Sequence, residues 1–175
     1  VKQVENLGGH AEGLTAQHEI IGAEPHPQAD ELGCVGTVAW VQTALIRRIF
    51  NHHAIPVLSP IGVGQGQLYN INADDVASEV AISLRAEKLV LLTNVRGIMR
   101  QADDPRSLIS TLSVSDAKRL IERGIVQEGM IPKVKACMGA LKGGVKKTHI
   151  IDAAVPHAML LEIFTKQGIG TELIR

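Results

Sequence analysis

The sequence predicts an α/β fold with a mostly parallel sheet covered by helices on both faces, and three observations carry that expectation. Short apolar runs such as Lys88-Leu-Val-Leu-Leu-Thr93 alternate with segments of helical period, the signature of strands joined through helices. Hydrophobic residues make up 45% of the chain but aromatics only 2%. The core is therefore built from Val, Ile, Leu and Ala, as in strands covered on both sides. The 175 residues suffice for one domain or two small lobes with a buried core.

The elements follow in order. Residues 2–7 form the end of a helix closed by Gly8-Gly9. Residues 10–31 are irregular and turn-rich, with Pro25 and Pro27 confining the backbone. A loosely alternating strand covers 32–41. Leu45, Ile46, Ile49 and Phe50 then form the stripe of an amphipathic helix over 43–53. A buried strand covers 55–61 and ends in a turn at Gly62-Val-Gly-Gln-Gly66, which matches neither GxGxxG nor a Walker A loop. Asn72 caps a helix carrying Asp74 and Asp75 in its first turn and Val76, Val80 and Leu84 along one face. A strand at 88–93, helices at 115–123 and 133–142, a strand at 148–152 and a helix at 156–166 complete the order.

Charge and composition exclude several functions. Lys plus Arg and Asp plus Glu number 18 each, so no basic field favours nucleic acid or an anionic membrane. Cys34 and Cys137 are far apart and form no CxxC pair, which fits a reducing, cytoplasmic setting. The apolar runs are too short to cross a bilayer, and no signal peptide is visible. Because the chain starts at Val1 with no strand before its first helix, we read it as a fragment or a processed product. The seven histidines form no HxxxH or HExxH pair, so no metal site is expected.

Three segments carry residues suited to chemistry. In Tyr69-Asn-Ile-Asn-Ala-Asp74, alternation puts Asn70 and Asn72 on one side as an extended segment enters a helix. Amides there suit a substrate carboxylate and Asp74 a cation, although capping alone also explains this pattern. Leu91-Leu-Thr-Asn-Val-Arg-Gly-Ile98 is an apolar strand running into a small polar turn. Thr93, Asn94 and Gly97 lie at its carboxyl end, where open α/β sheets bind ligands; an ordinary strand exit looks the same. In Glu128-Gly-Met-Ile-Pro-Lys-Val134, Pro132 opens a helix and puts Lys133 in its first turn. A lysine opposes the helix dipole there unless an anion is bound nearby or water solvates it.

Taken together, the segments resemble the N-acetylglutamate kinase family, part of the amino-acid kinase superfamily. The resemblance rests on Asn70-Ile-Asn-Ala-Asp74, Ala86-Glu-Lys-Leu-Val-Leu-Leu-Thr-Asn-Val-Arg-Gly97 and Gly129-Met-Ile-Pro-Lys133, on Pro156-His-Ala-Met-Leu-Leu-Glu-Ile-Phe-Thr165 and Gly168-Ile-Gly-Thr171, and on Ile55-Pro-Val-Leu-Ser-Pro-Ile-Gly62. It is dense from Ile55 onward and looser from Gly8 to Ala54. It implies a partial amino-acid kinase-like fold, with 1–86 in the acyl-amino-acid-binding lobe and 87–175 as the nucleotide-binding lobe. The implied reaction transfers the γ-phosphoryl group of ATP, carried with Mg²⁺, to the side-chain carboxylate of N-acetyl-L-glutamate in arginine biosynthesis. By motif, Asn70 and Asn72 would bind the substrate and Asp74 would hold the catalytic lysines. Lys133 would stabilise the transferring phosphoryl group, since this chemistry depends on positioning and charge. Thr93, Asn94, Gly97, Ile98, Met99, Ile125, Gln127 and Met130 would bind the nucleotide.

The C-terminal stretch is similar to arginine-sensitive members, which implies an effector site at His149, Glu162 and Gly168. A glutamate can accept two parallel hydrogen bonds from a guanidinium; it can also simply lie on the polar face of the last helix. The family further implies a homo-oligomer (dimer or hexamer), allostery and a PII-type signal protein among the partners.

The chain also departs from the pattern. The family's opening strand, Gly-rich phosphate loop, other catalytic lysine, second Gly-rich turn and substrate-binding arginine have no counterpart in it. Asn94 stands for a usual Asp, Glu128 for a Gly, Ala16-Gln17 for Gly-Lys or Ser-Lys, and Ala153-Ala154 for Gly-Arg. The chain alone is therefore expected to be inactive. Two other readings fit the same residues: a kinase of a related compound such as an α-aminoadipate derivative, and a non-catalytic arginine-sensing or protein-binding module on the same scaffold.

Overall fold

The computed structural model describes residues 1–101, 104–165 and 168–175. The chain divides into two compact units, Val1–Leu84 and Arg85–Arg175.

In the first unit, helix α1 (Lys2–Asn6) precedes strand β1 (Ala11–Leu14), which pairs in parallel with β4 (Ile55–Leu58). Strands β2 (Ile21–Pro25), β3 (Val35–Val41), β5 (Ile61–Gly64) and β6 (Gln67–Ile71) close a small barrel in the order β2-β3-β6-β5. Closure needs strands that nearly touch. A Cβ on Gly64 would collide with the carbonyl oxygen of Ala23, so this position has no room for a side chain. A short helix, α2 (Ala29–Leu32), joins β2 to β3. Helices α3 (Thr43–Asn51) and α4 (Ala73–Leu84) pack on these strands. Ile20, Ile21, Ile46, Ile49, Tyr69 and Ile71 form the centre of the core, and Gln67 Nε2 donates to the buried Tyr69 hydroxyl.

Several expectations are corrected here. The irregular stretch 10–31 contains β1 and β2, which are short and carry few β-branched residues. The strand expected over 55–61 breaks at Ser59-Pro60 into β4 and β5, which belong to different sheets. Gly62 and Gly64 lie in β5 rather than in a turn; the turn is the two-residue Gln65-Gly66, with φ of 50° and 76°, the geometry that best suits a twisted hairpin. Phe50, at the margin of the α3 stripe, is 50% exposed.

In the second unit, β7 (Lys88–Thr93), β8 (Thr111–Ser113), β9 (Lys147–Asp152) and β10 (Thr171–Ile174) form one sheet in the order β7-β9-β10-β8. β7–β9 and β8–β10 are parallel and β9–β10 is antiparallel. Helix α5 (Val114–Glu122) is capped by Ser113, whose hydroxyl accepts from the Asp116 N–H at 3.0 Å. A 3₁₀ turn, Glu128–Met130, leads into α6 (Ile131–Lys142), two residues earlier than expected. The last helix, α7, spans Ala158–Phe164; the expected end at Lys166 lies outside the described residues. Val134, Cys137, Leu141, Val145, Ile150, Ile151 and Leu173 are fully buried. β8 and β10 were not expected from the sequence.

Candidate functional site

In the first unit, β6 presents Tyr69 and Ile71 to the core and Asn70 to solvent. The alternation continues to Asn72, so the two amides share the exposed side as expected. Asn72 caps α4: its Oδ1 accepts from the Asp74 N–H at 2.8 Å, and its carbonyl accepts from the Val76 N–H at 3.0 Å. Asp74 is half-buried in the first turn. Burial foremost, and then the Asp74 charge, raise the neighbouring Asp75 carboxyl above its ordinary value, against a smaller opposite pull from His26.

In the second unit, a narrow cleft opens at the carboxyl end of β7. Val95, Gly97, Ile98 and Met99 line it from the segment after β7, and Ile125, Val126, Gln127 and Met130 from the loop between α5 and α6. Thus Gly97, Ile98, Met99, Ile125, Gln127 and Met130, which the sequence proposes, share one wall. The segment after β7 is held by the Ile98 N–H donating to Thr171 Oγ1 at 2.8 Å and by the Ile109 N–H donating to the Ile98 carbonyl at 2.9 Å. Gly97 has φ of 141°, and a Cβ there would lie 2.5 Å from Thr171 Oγ1, so only glycine fits. Thr93 and Asn94 sit at the same strand end but do not line this cleft. Thr93 is buried and Asn94 exposed, with Thr93 Oγ1 3.4 Å from Asn94 Oδ1. Lys133 is the third residue of α6 and half-buried.

A second, polar cavity of about 470 Å³ is open to solvent. His149, Glu162 and Gly168, which the sequence proposes together, all line it. The sequence leaves Glu162 either offering both oxygens to a guanidinium or solvated on a helix face. In the structure it is 8% exposed. Its Oε1 lies 2.8 Å from His149 Nδ1, and its Oε2 accepts from the Ile169 and Gly170 N–H groups at 2.7 and 3.1 Å. Burial, the largest single influence, pushes the carboxyl up, but the bonds from Ile169, His149 and Gly170 outweigh it and hold the group below its ordinary value.

Sequence reasoning missed the other polar walls of this cavity: Lys88, Ser110, Thr111, Lys147, Thr165 and Glu172. Their common position depends on β10, which pairs Glu172 opposite His149. Among the described residues, no group of three or more His, Cys, Asp or Glu side chains is arranged to hold a metal ion, and no helix is long and apolar enough to cross a membrane.

Residues 2–152 match the amino acid kinase family. The chain is 48% identical over 185 residues to the acetylglutamate kinase of Moorella thermoacetica, covering 99% of the chain and 62% of that protein. It is 47% identical over 176 residues to the acetylglutamate kinase of Syntrophomonas wolfei, covering 99% and 61%. The chain thus spans about three fifths of the length of these relatives. Among solved structures, N-acetylglutamate synthase from Neisseria gonorrhoeae superposes with a TM-score of 0.83 at 28% identity, over 95% of this chain and 38% of that one. This holds both for its complex with coenzyme A and N-acetyl-glutamate and for its complex with coenzyme A and L-arginine.

Proposed function

Because this chain belongs to the amino acid kinase family, we propose that the protein phosphorylates the side-chain carboxylate of N-acetyl-L-glutamate with ATP, in arginine biosynthesis. The observation that carries the reading is the cleft at the end of β7, where residues from two separate family motifs meet. Its apolar walls suit an adenine ring, and Gln127 at the rim can hydrogen-bond it. Thr93 and Asn94 extend the nucleotide site along the strand exit. Residues 1–86 then belong to the acyl-amino-acid-binding lobe and 87–175 to the nucleotide-binding lobe.

Within this reading, Asn70 holds the substrate. Asn72 contributes through its amide nitrogen, since its Oδ1 is engaged in capping α4. Asp74 orients cationic side chains. Lys133 stabilises the charge that develops on the transferring phosphoryl oxygens, and the first-turn N–H groups of α6 add to that field. Mg²⁺ would come with the nucleotide and would supply neutralisation of the phosphate charge beside Lys133. The second cavity takes arginine as an effector, in line with the arginine complex of the synthase. The reading also includes a cytoplasmic location, a homo-oligomer (dimer or hexamer) and a PII-type signal protein as partner.

A coupled assay of ADP release tests the proposal, with MgATP and N-acetyl-L-glutamate supplied to the protein in its natural full length. Turnover dependent on N-acetyl-L-glutamate is expected. Turnover with an α-aminoadipate derivative and none with N-acetyl-L-glutamate overturns the substrate, and arginine binding without turnover on any acyl amino acid overturns the enzyme.

A further inference from the structure

The chain leaves β7 at Thr93, and residues 95–99 then build one wall of the cleft. One side of this wall is tied to residues 107–109. The Ile109 N–H donates to the Ile98 carbonyl at 2.9 Å, the Arg100 N–H donates to the Ser107 carbonyl at 3.0 Å, and Met99 bridges Leu108. Those partners precede β8 and lie outside the sheet. Ile98 is buried, 3% exposed, so its own N–H also needs an acceptor.

Thr171 supplies it. This residue opens β10, pairs with Ile150 of β9 and is fully buried. Its Oγ1 accepts from the Ile98 N–H at 2.8 Å, a buried bond between residues 73 positions apart. The strand register anchors its backbone, and a β-branched side chain is stiff about χ1, so the acceptor is fixed in space. Gly97 is fitted to the same group: a Cβ there would lie 2.5 Å from Thr171 Oγ1 and 3.1 Å from the Thr171 nitrogen. The polar cavity takes its β10 residue, Glu172, from the other face of the strand. The Thr171 side chain therefore points away from that cavity and towards the cleft wall.

We propose that Thr171 is a positioning residue for the nucleotide. Its hydroxyl clips Ile98 to the sheet, so that Gly97, Ile98 and Met99 meet the adenine ring as a wall already in place. Thr171 touches no substrate; it acts through Ile98, by reducing the ordering that binding would otherwise require. This inference rests on the reading of the cleft as the nucleotide site.

The test is steady-state kinetics of the full-length protein, varying MgATP and N-acetyl-L-glutamate in turn. Thr171→Val keeps the shape of the side chain and leaves the Ile98 N–H buried without its acceptor. It should raise the KM for MgATP by about 10-fold, within the range for one unsatisfied buried donor, with kcat and the KM for N-acetyl-L-glutamate close to wild type. Thr171→Ser keeps the hydroxyl and should restore most of the MgATP affinity. Hydrogen exchange provides a second readout: the Ile98 amide should be protected in wild type and exposed in Thr171→Val. Should Thr171→Val fail to fold, Gly97→Ala pushes on the same hydroxyl from the other side and should also raise the KM for MgATP. An unprotected Ile98 amide in wild type overturns the assignment. So does a folded Thr171→Val with wild-type KM for MgATP, or with equal losses in kcat and both KM values that Thr171→Ser does not rescue. These outcomes leave the nucleotide reading standing, whereas a wild type that neither binds nor turns over MgATP overturns both.

Discussion

Lys133 and Glu162 show how differently two charged side chains can serve. Lys133 stands in the first turn of α6, where the helix dipole opposes it. In the proposed function an anion near the helix end offsets that opposition. Lys133→Ala should lower kcat by about 10²- to 10³-fold, as for loss of one preorganised electrostatic donor, while the melting temperature stays nearly constant. Loss of ATP affinity with unchanged kcat would move Lys133 from the chemistry to binding. Glu162, by contrast, holds structure. Glu162→Ala removes the acceptor for two backbone N–H groups and the partner of His149. It should destabilise the second unit by about 2–4 kcal/mol in urea unfolding, since unsatisfied buried donors keep their full desolvation cost. The folded carboxyl is held below its ordinary value, so its contribution is complete above the unfolded value near 4.5. That contribution is lost as pH falls through the lower, folded value. Stability curves measured below pH 5 should be flatter for Glu162→Gln than for wild type.

At the level of elements, the helices were more legible than the strands. The α4 and α5 segments carry apolar periodicity and a cap within a single stretch, Asn72 before Asp74 and Ser113 before Asp116. Such local chemistry can be read without knowing the fold. Strands β1, β8 and β10 are only three or four residues long, and what makes them strands is a partner far away in sequence. Of the cleft after β7, only Gly97 was legible from the strand exit itself; Ile98, Met99, Ile125, Gln127 and Met130 came from the family resemblance. The polar walls of the second cavity were not legible, because the β9–β10 register that puts Glu172 across from His149 is a tertiary fact. One element makes a sharp prediction of its own. Asn72→Ala removes the side-chain cap of α4 and should cost about 1 kcal/mol, seen as a lower urea midpoint with unchanged slope. A loss of substrate affinity with no change in stability would show instead that Asn72 acts mainly on the ligand.

For the whole molecule, the division between Leu84 and Arg85 sorts the core into two sets. The first unit centres on Ile46, Ile49 and Tyr69, the second on Leu141, Ile150, Ile151 and Leu173. Among the described residues, each strand pairs only within its own unit. Residues 85–175 expressed alone should therefore fold, with dispersed amide resonances and a cooperative melt. They should also bind MgATP weakly through the cleft after β7. A collapsed, non-cooperative product would mean that this unit depends on its neighbour for stability.

The sheet order of the second unit bears on how the protein is made. β10 lies between β9 and β8, yet it follows both of them in the chain. During synthesis β8 emerges with no strand to pair with, and β9 has one edge bare until Thr171–Ile174 arrives. Bare edges recruit strands from other chains. A nascent chain stalled or truncated before residue 171 should thus be the most aggregation-prone form of this protein.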